Sequence, residues 1–213
     1  MSRHEGEFER FERAGRTVIL CCDPEAESPR DNDGCLAVMA CWHRSVNLGD
    51  RQIEGTSKER LIEELEAEGD KVLAIVPIWI YQHSGIFLHA QAEKPGYPYN
   101  CPWDSGQVGW AYVLKSTAEK LGCVGAYGGA EGGDWTDRYE HNITQEVEVY
   151  DRWQRGEFAG YIVEDDDEEQ LDSCFGFDDV DYCRTEAREA ATRHASRQKR
   201  AAKGKNRKRS KVK

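Results

Sequence analysis

The strongest chemical signal in this sequence is a dense run of basic side chains. Ten lysines and arginines lie between positions 197 and 213, namely Arg197, Lys199, Arg200, Lys203, Lys205, Arg207, Lys208, Arg209, Lys211 and Lys213. Such side chains neutralise phosphates and release counterions, so the run predicts nucleic-acid binding that depends little on base sequence and strongly on salt concentration. The run contains no aromatic residue to stack on bases. A solubilising tail, or one that folds back on an acidic body, accounts for the same composition.

Charge divides the chain in two. From Arg184 to Lys213 there are 13 Lys or Arg and 2 Glu, a balance of +11, whereas the preceding residues have a balance of −22. A basic segment beside an acidic body indicates an anionic partner for that segment. We therefore expect nucleic acid as the partner of the tail. A second protein is a candidate partner for the acidic body.

A second group of side chains suits hydrolytic chemistry. His83, Asp104 and Ser105 are candidate catalytic residues, with Asp104 as a general base or metal ligand and Ser105 as its helper. Ser105 is not in a nucleophile elbow, because the G-x-S-x-G pattern is absent. The same residues are typical of turns, where Asp and Ser bond to nearby backbone amides. In that interpretation Gly106 takes a positive φ and Trp103 anchors the turn in the core.

Candidate metal ligands lie in the acidic loops and next to the predicted strand ends. They are Asp23, Glu25, Asp31, Asp33, His83 and Asp104. Two-metal hydrolases use hard oxygen ligands of this kind. However, acidic loops are usually only solvated, and Asp31-Asn32-Asp33-Gly34 lacks the later Glu of a calcium loop. No cofactor is expected, and the sequence leaves open whether a divalent metal ion binds.

The eight cysteines have no C-x-x-C spacing, which disfavours a zinc site. In a chain of this length without an apolar leader they are expected to remain thiols. A Cys–His nucleophile pair is a further alternative, with Cys41 near His43 or Cys174 near His83. Cys41 and His43 would share one face of a strand, since side chains alternate with a period of two.

Several short motifs are distinctive when taken together. They are Asp23-Pro24-Glu25-Ala26-Glu27-Ser28-Pro29-Arg30, Cys41-Trp42-His43, Tyr81-Gln82-His83-Ser84-Gly85, Trp103-Asp104-Ser105-Gly106-Gln107-Val108-Gly109 and Asp172-Ser173-Cys174-Phe175-Gly176-Phe177. From Thr17 to Phe177 the chain resembles a family encoded by bacteriophages, plasmids and their actinobacterial or firmicute hosts. It departs from that family in a glycine-rich insert at 125–133. The resemblance implies a mobile-element setting and no particular reaction.

Hydrophobic patterning predicts an α+β fold with a largely antiparallel sheet and two or three packed helices. Strands are expected at 17–22, 35–43, 72–81, 86–90, 108–114, 158–163 and 171–177. Pro77 argues for an edge strand or a bulge. A capping box at Thr56 to Glu59 begins one helix, Ser116 caps a short one, and apolar residues from Tyr139 to Trp153 mark a third. A helix over 184–203 has no apolar stripe, and 204–213 reads as disordered.

These observations predict a charged segment at 1–16, an acidic α+β domain at 17–183 and a basic tail at 184–213. The segment 1–16 reads as frayed or as a short helix. Without an apolar leader or a long apolar run, we expect a cytoplasmic protein, in the host cytoplasm if phage-encoded, with no membrane partner. The leading hypothesis is a non-enzymatic accessory protein that binds nucleic acid, a host protein or both. The alternatives are a metal-dependent hydrolase acting on a phosphodiester and a structural component of virions.

Overall fold

A computed structural model describes residues 5–91, 101, 103–124 and 135–209, with 201–209 described by their backbone alone. In chain order the elements are β1 (Glu7–Glu12), β2 (Thr17–Cys22), β3 (Ala37–Cys41), β4 (Arg51–Gln52), α1 (Lys58–Ala67), β5 (Val72–Gln82), β6 (Ile86–Ala90), β7 (Ser105–Leu114), α2 (Lys115–Lys120), α3 (Thr136–Gln154), β8 (Ala159–Glu164), β9 (Gln170–Phe177) and α4 (Val180–Arg209). The predicted α+β class is confirmed, with two mostly antiparallel sheets.

The chain divides into two compact units. Unit 1 consists of Met1–Glu27 and Gly156–Lys213, and unit 2 of Ser28–Arg155. The segment 1–16 and the residues from Arg184 onward therefore lie in the same unit, and 17–183 is shared between both. Composition marks where charge changes, whereas packing marks where chain segments share a core. In the part of the chain that the structure describes, no helix is long and apolar enough to cross a membrane.

Unit 2 contains a sheet in the order β4-β3-β7-β5-β6 with a helix on each face. Alternate residues of β5 serve the two faces: Val76 packs in the cluster that includes α3, and Ile75 in the cluster that includes α1. Because both faces are covered, β5 reads as a nearly continuous apolar run. The spacing of apolar residues in α3 correctly predicted its buried positions, which include Tyr139, Ile143 and Val147.

In unit 2 the two predicted helix caps are wrong, and of the two alternatives given for Pro77 the bulge fits the structure whereas the edge strand does not. β5 lies between β7 and β6, so Pro77 is not on an edge strand. It is accommodated because β6 pairs with β5 only from Ile78 onward, next to an irregularity in the pairing of β5 with β7. The N-cap of α1 is Ser57, not Thr56. Ser116 does not cap α2, because its hydroxyl and N–H bond to Asp70 instead.

Unit 1 contains an antiparallel sheet in the order β1-β2-β8-β9. Its first hairpin corrects the expectation of a frayed or helical N-terminal segment. Arg13 and Arg16 exchange two backbone hydrogen bonds, and the turn between them has φ of 55° at Ala14 and 72° at Gly15. This is the type I′ geometry, whose twist matches that of the paired strands. Pairing with β2 thus turns a charged segment into a strand.

The helix α4 packs against the sheet of unit 1. It begins at Val180 and buries Cys183, Ala187, Ala190, Ala191 and Ala195. The expectation of a helix without an apolar stripe is therefore wrong, because small side chains let the helix approach the sheet closely. The helical backbone continues to Arg209, so the prediction of disorder fails over 204–209. Residues 210–213 lie outside the described part.

Candidate functional site

The basic residues of α4 fall into two groups that differ in their partners. In the first half of the helix each arginine has an internal partner. Arg184 forms an ion pair with Glu9 at 2.7 Å, and its hydrogen bonds lower the pKa of Glu9. Arg188 lies 5.3 Å from the ring centroid of Phe11. These contacts hold the helix to β1, so the first arginines serve the fold.

The second group begins at Arg197. The side chains of Arg197, Lys199 and Arg200 are exposed, and none pairs with a carboxylate of the described residues. Helical backbone then carries Lys203, Lys205, Arg207, Lys208 and Arg209, whereas Lys211 and Lys213 lie outside the described residues. At about 1.5 Å per residue, the stretch from 197 to 209 spans about 20 Å. The predicted phosphate-binding residues are thus placed mostly on one helix.

The β1–β2 turn meets α4 where the free cations begin. Arg16 is buried, donates from Nη1 to the carbonyl of Gly15 at 2.6 Å, and donates from Nη2 to Oε1 of Gln198. Gln198 lies between two of the free cations of the helix. Arg13, in the same turn, is exposed and has no side-chain partner among the described residues. It adds a cation that sequence reasoning missed, because Arg16 and Gln198 are 182 positions apart.

The candidate catalytic residues lie at one end of the unit 2 sheet. The carbonyl of Asp104 accepts the backbone N–H of Gln82 at 2.6 Å, which places Asp104 beside the β5–β6 turn that holds His83. Its carboxylate accepts the thiol of Cys101 at 3.4 Å, and the Ser105 hydroxyl donates to the Cys101 carbonyl at 2.5 Å. These local bonds are those of turn-forming residues.

Two details of the motif from Trp103 to Gly109, called here the tryptophan motif, differ from expectation. Trp103 is 93% exposed, so it does not anchor the turn in the core. Gly106 lies within β7 and its φ is not positive. The motif is instead the start of a strand, because Ser105 and Gly106 already pair with Tyr81 and Ile80 of β5.

The candidate metal ligands are divided between the two units. Asp23 and Glu25 belong to unit 1, while Asp31, Asp33, His83 and Asp104 belong to unit 2. The carboxylate of Asp23 accepts the N–H of Glu25 at 3.2 Å, which is a turn contact. Within the described ranges, no group of three His, Cys, Asp or Glu side chains is arranged to hold a metal ion.

The cysteines are all free, as the sequence predicted. Burial raises the pKa of Cys41 to about 12, and His43 lies beyond the end of β3. Cys41 is therefore a protonated core residue at neutral pH rather than a nucleophile. Cys174 is in unit 1 and His83 in unit 2, so neither unit by itself holds the second proposed pair.

The acidic loop contains an ion cluster around a buried arginine side chain, which sequence reasoning missed. The Arg30 side chain is 7% exposed and bonds to Asp50 at 2.7 and 2.9 Å and to Glu146 at 2.6 Å. Burial opposes its charge, but these carboxylates outweigh burial and raise the pKa of Arg30. Glu146 also accepts the backbone N–H of Leu36. Arg30, the last residue of the motif that begins at Asp23, therefore fixes the loop to β3 and α3.

Three of the distinctive motifs meet at the same end of this sheet. His43 follows β3, Gln82 ends β5, and Gln107 lies near the start of β7. His43 Nε2 is 3.1 Å from Oε1 of Gln82. A cleft beside them is lined by residues that include Trp42, His43 and Gln107. Strand pairing brings these motifs together, and none of the residue spacings in the sequence indicates it.

Comparison of the chain with protein-family models, with curated proteins and with solved structures finds no match in any of the three. The resemblance to a phage and plasmid family stays a prediction. Functional inference for this chain rests on its own geometry.

Proposed function

We propose that this protein binds the phosphate backbone of a nucleic acid and acts as a binding protein rather than an enzyme. The binding surface, called here the basic surface, consists of Arg13 and the cations of α4 from Arg197 onward. The observation that supports the proposal is the contrast within α4. Its first arginines have internal partners, whereas Arg197, Lys199 and Arg200 are exposed without a carboxylate partner in the described part of the chain.

This contrast argues against a tail that folds back on the acidic body. From Arg197 onward, three cations have described side chains, and none of the three forms an ion pair with a carboxylate of the described residues. The alanine stripe also holds the helix on a folded sheet, which a tail that only aids solubility does not require. Cations without an internal partner can neutralise phosphates and release the counterions condensed on the nucleic acid, and this release drives binding.

The geometry of the basic surface suits a phosphate backbone. Its helical part is about 20 Å long, and one strand of B-DNA carries a phosphate about every 3.4 Å, so about six phosphates of one strand can lie along it. Because the basic surface has no aromatic residues to stack on bases, its contacts are to phosphate and depend little on base sequence. The acidic remainder repels nucleic acid and leaves a separate surface for a host protein, in the phage or plasmid setting that the resemblance implies.

The salt dependence of binding tests the proposal. Affinity for a duplex of about 20 base pairs is measured by fluorescence anisotropy between about 50 and 200 mM salt. The triple variant R197Q/K199Q/R200Q keeps helix-forming residues and removes three charges. We expect the slope of log K against log salt to fall in magnitude by about 2.7, which is about 0.9 for each lost contact.

The matched control removes three exposed cations of unit 2 in the variant K58Q/R60Q/K120Q, which should retain the wild-type slope. An unchanged slope in the α4 variant, or an equal fall in the control, would refute the proposal. A truncation for the same purpose should end after Ser196. Ending the chain at Cys183 would remove the buried alanines and expose the sheet.

A further inference from the structure

The end of β3 in unit 2 opens into a polar cleft. The backbone N–H of Trp42 donates to the carbonyl of Val108 at 2.7 Å, and the N–H of Ile53 donates to the carbonyl of Cys41 at 2.9 Å. These bonds hold β4, β3 and β7 together around the opening. The cleft has a volume of 560 Å³, and small-molecule sites occupy about 300–1,000 Å³.

The cleft carries positive charge. Arg44 is the single charged side chain among the described residues that line it, and no described carboxylate is among them. The Nδ1 of His43 accepts the backbone N–H of Val46 at 3.2 Å. Its Nε2–H faces Oε1 of Gln82 at 3.1 Å. A positively charged cleft favours an anionic ligand.

Fixed amides and an aromatic ring complete the lining. Gln107 donates from Nε2 to the carbonyl of Gly109 at 3.1 Å, and Gln52 donates from Nε2 to the carbonyl of Leu48 at 2.7 Å. Each amide is therefore oriented and keeps its oxygen and one N–H for a ligand. Such donor and acceptor pairs read the edges of nucleobases. The half-buried indole of Trp42 provides a surface on which a base can stack.

We propose that this cleft binds a nucleoside monophosphate. The base would stack on Trp42 and bond to Gln52 and Gln107, and the phosphate would pair with Arg44, since arginine matches phosphate in shape and charge. The site lies in unit 2 and recognises a single nucleotide, unlike the basic surface of unit 1. The nucleotide can come from solution or from the end of a single strand, and the chemistry recognised is the same.

Isothermal titration of the full-length protein tests the site with AMP, GMP, CMP and UMP. We expect at least one to bind with Kd below about 1 mM. The matching nucleoside should bind about tenfold more weakly because it lacks the phosphate, and inorganic phosphate alone should give no measurable heat. The same nucleotide at the end of an oligonucleotide, added to the protein after saturation with the free one, shows whether the two compete.

Variants separate this site from charge elsewhere. R44Q should weaken the nucleotide about tenfold and leave the nucleoside unchanged, and W42F should weaken both by a smaller factor. K120Q, which removes an exposed cation of unit 2 outside the cleft, should change neither. Absence of heat with all four monophosphates, or binding that R44Q leaves unchanged, overturns the proposal. The second result would assign the nucleotide to the basic surface.

Discussion

Replacing Gly109 with alanine should destabilise unit 2, whereas the same change at Gly106 should stabilise it. Both glycines lie in β7 and in the same tryptophan motif. Gly109 pairs with Cys41 at the centre of the sheet. A Cβ on Gly109 would lie 2.7 Å from the carbonyl oxygen of Ala40 and 2.8 Å from the sulfur of Cys41. At Gly106 no heavy atom of the described residues lies within 4 Å of an added Cβ.

These distances set the sign and size of each effect. The atoms facing Gly109 include backbone of the paired strand β3, which cannot move without disturbing the sheet. Overpacking of a rigid site costs about 1–3 kcal/mol, and alanine recovers about 0.5–1 kcal/mol of backbone entropy. Gly109→Ala should therefore lower the free energy of unfolding of unit 2 by about 1–2 kcal/mol. Gly106→Ala has only the entropic gain, about 0.5–1 kcal/mol.

Hydrogen exchange followed by mass spectrometry measures both effects locally. Peptides from β3 and β7 report the opening of unit 2, because the most protected amides exchange only through its unfolding. For a loss of about 1.4 kcal/mol in Gly109→Ala, these peptides should exchange about tenfold faster, and in Gly106→Ala they should exchange more slowly. Equal protection in the two variants, or faster exchange in Gly106→Ala alone, would contradict the reasoning from close approach.

Two further predictions concern buried groups. Arg30→Met removes a buried guanidinium from its hydrogen bonds with the partly exposed carboxylates of Asp50 and Glu146 and should destabilise unit 2 by about 2 kcal/mol. Arg60→Met, which removes an exposed pair with Glu64, should cost under about 0.5 kcal/mol. Equal urea midpoints for the two variants would refute the role of the cluster around Arg30. Burial raises the pKa of Cys41 and of Cys183 to about 12. At neutral pH a thiol reagent should therefore modify the exposed Cys22 and Cys174 first. It should modify Cys41 and Cys183 only after the protein unfolds. Because folding raises the pKa of Cys41 and Cys183, the protonated thiols contribute to the free energy of unfolding below the ordinary pKa of a thiol. This contribution is lost as the pH rises towards 12. Unfolding measured over the alkaline range tests this.

Much of the secondary structure could be predicted because its signals are local. The spacing of Tyr139, Ile143 and Val147 marks the buried face of α3, and a positive φ at Gly156 follows its end. The hairpin of β8 and β9 was likewise visible as two apolar runs around an acidic turn. Predictions failed where a partner decides the outcome. β1 is a strand because β2 is beside it, and α4 buries alanines because its sheet offers a close surface.

The candidate site followed the same division. The cations from Arg197 to Lys213 are evident from the sequence. Only the structure shows that those with described side chains have no carboxylate partner among the described residues. Arg13 joins them only through the contact between Arg16 and Gln198. Asp104 and Ser105 form hydrogen bonds with Cys101, three and four positions away, as turn-forming residues do.

The sequence by itself determined the α+β class, most helices and strands, and a basic segment suited to phosphate. These follow from periodicity, propensity and charge, which act between residues close in the chain. Only the tertiary structure decided that the N-terminal residues and α4 share a unit, that Arg30 is a buried ion-pair centre, and that Trp42, Gln82 and Gln107 meet at one end of a sheet. Such contacts join residues far apart in the chain, and their energies depend on burial and distance that no local pattern records.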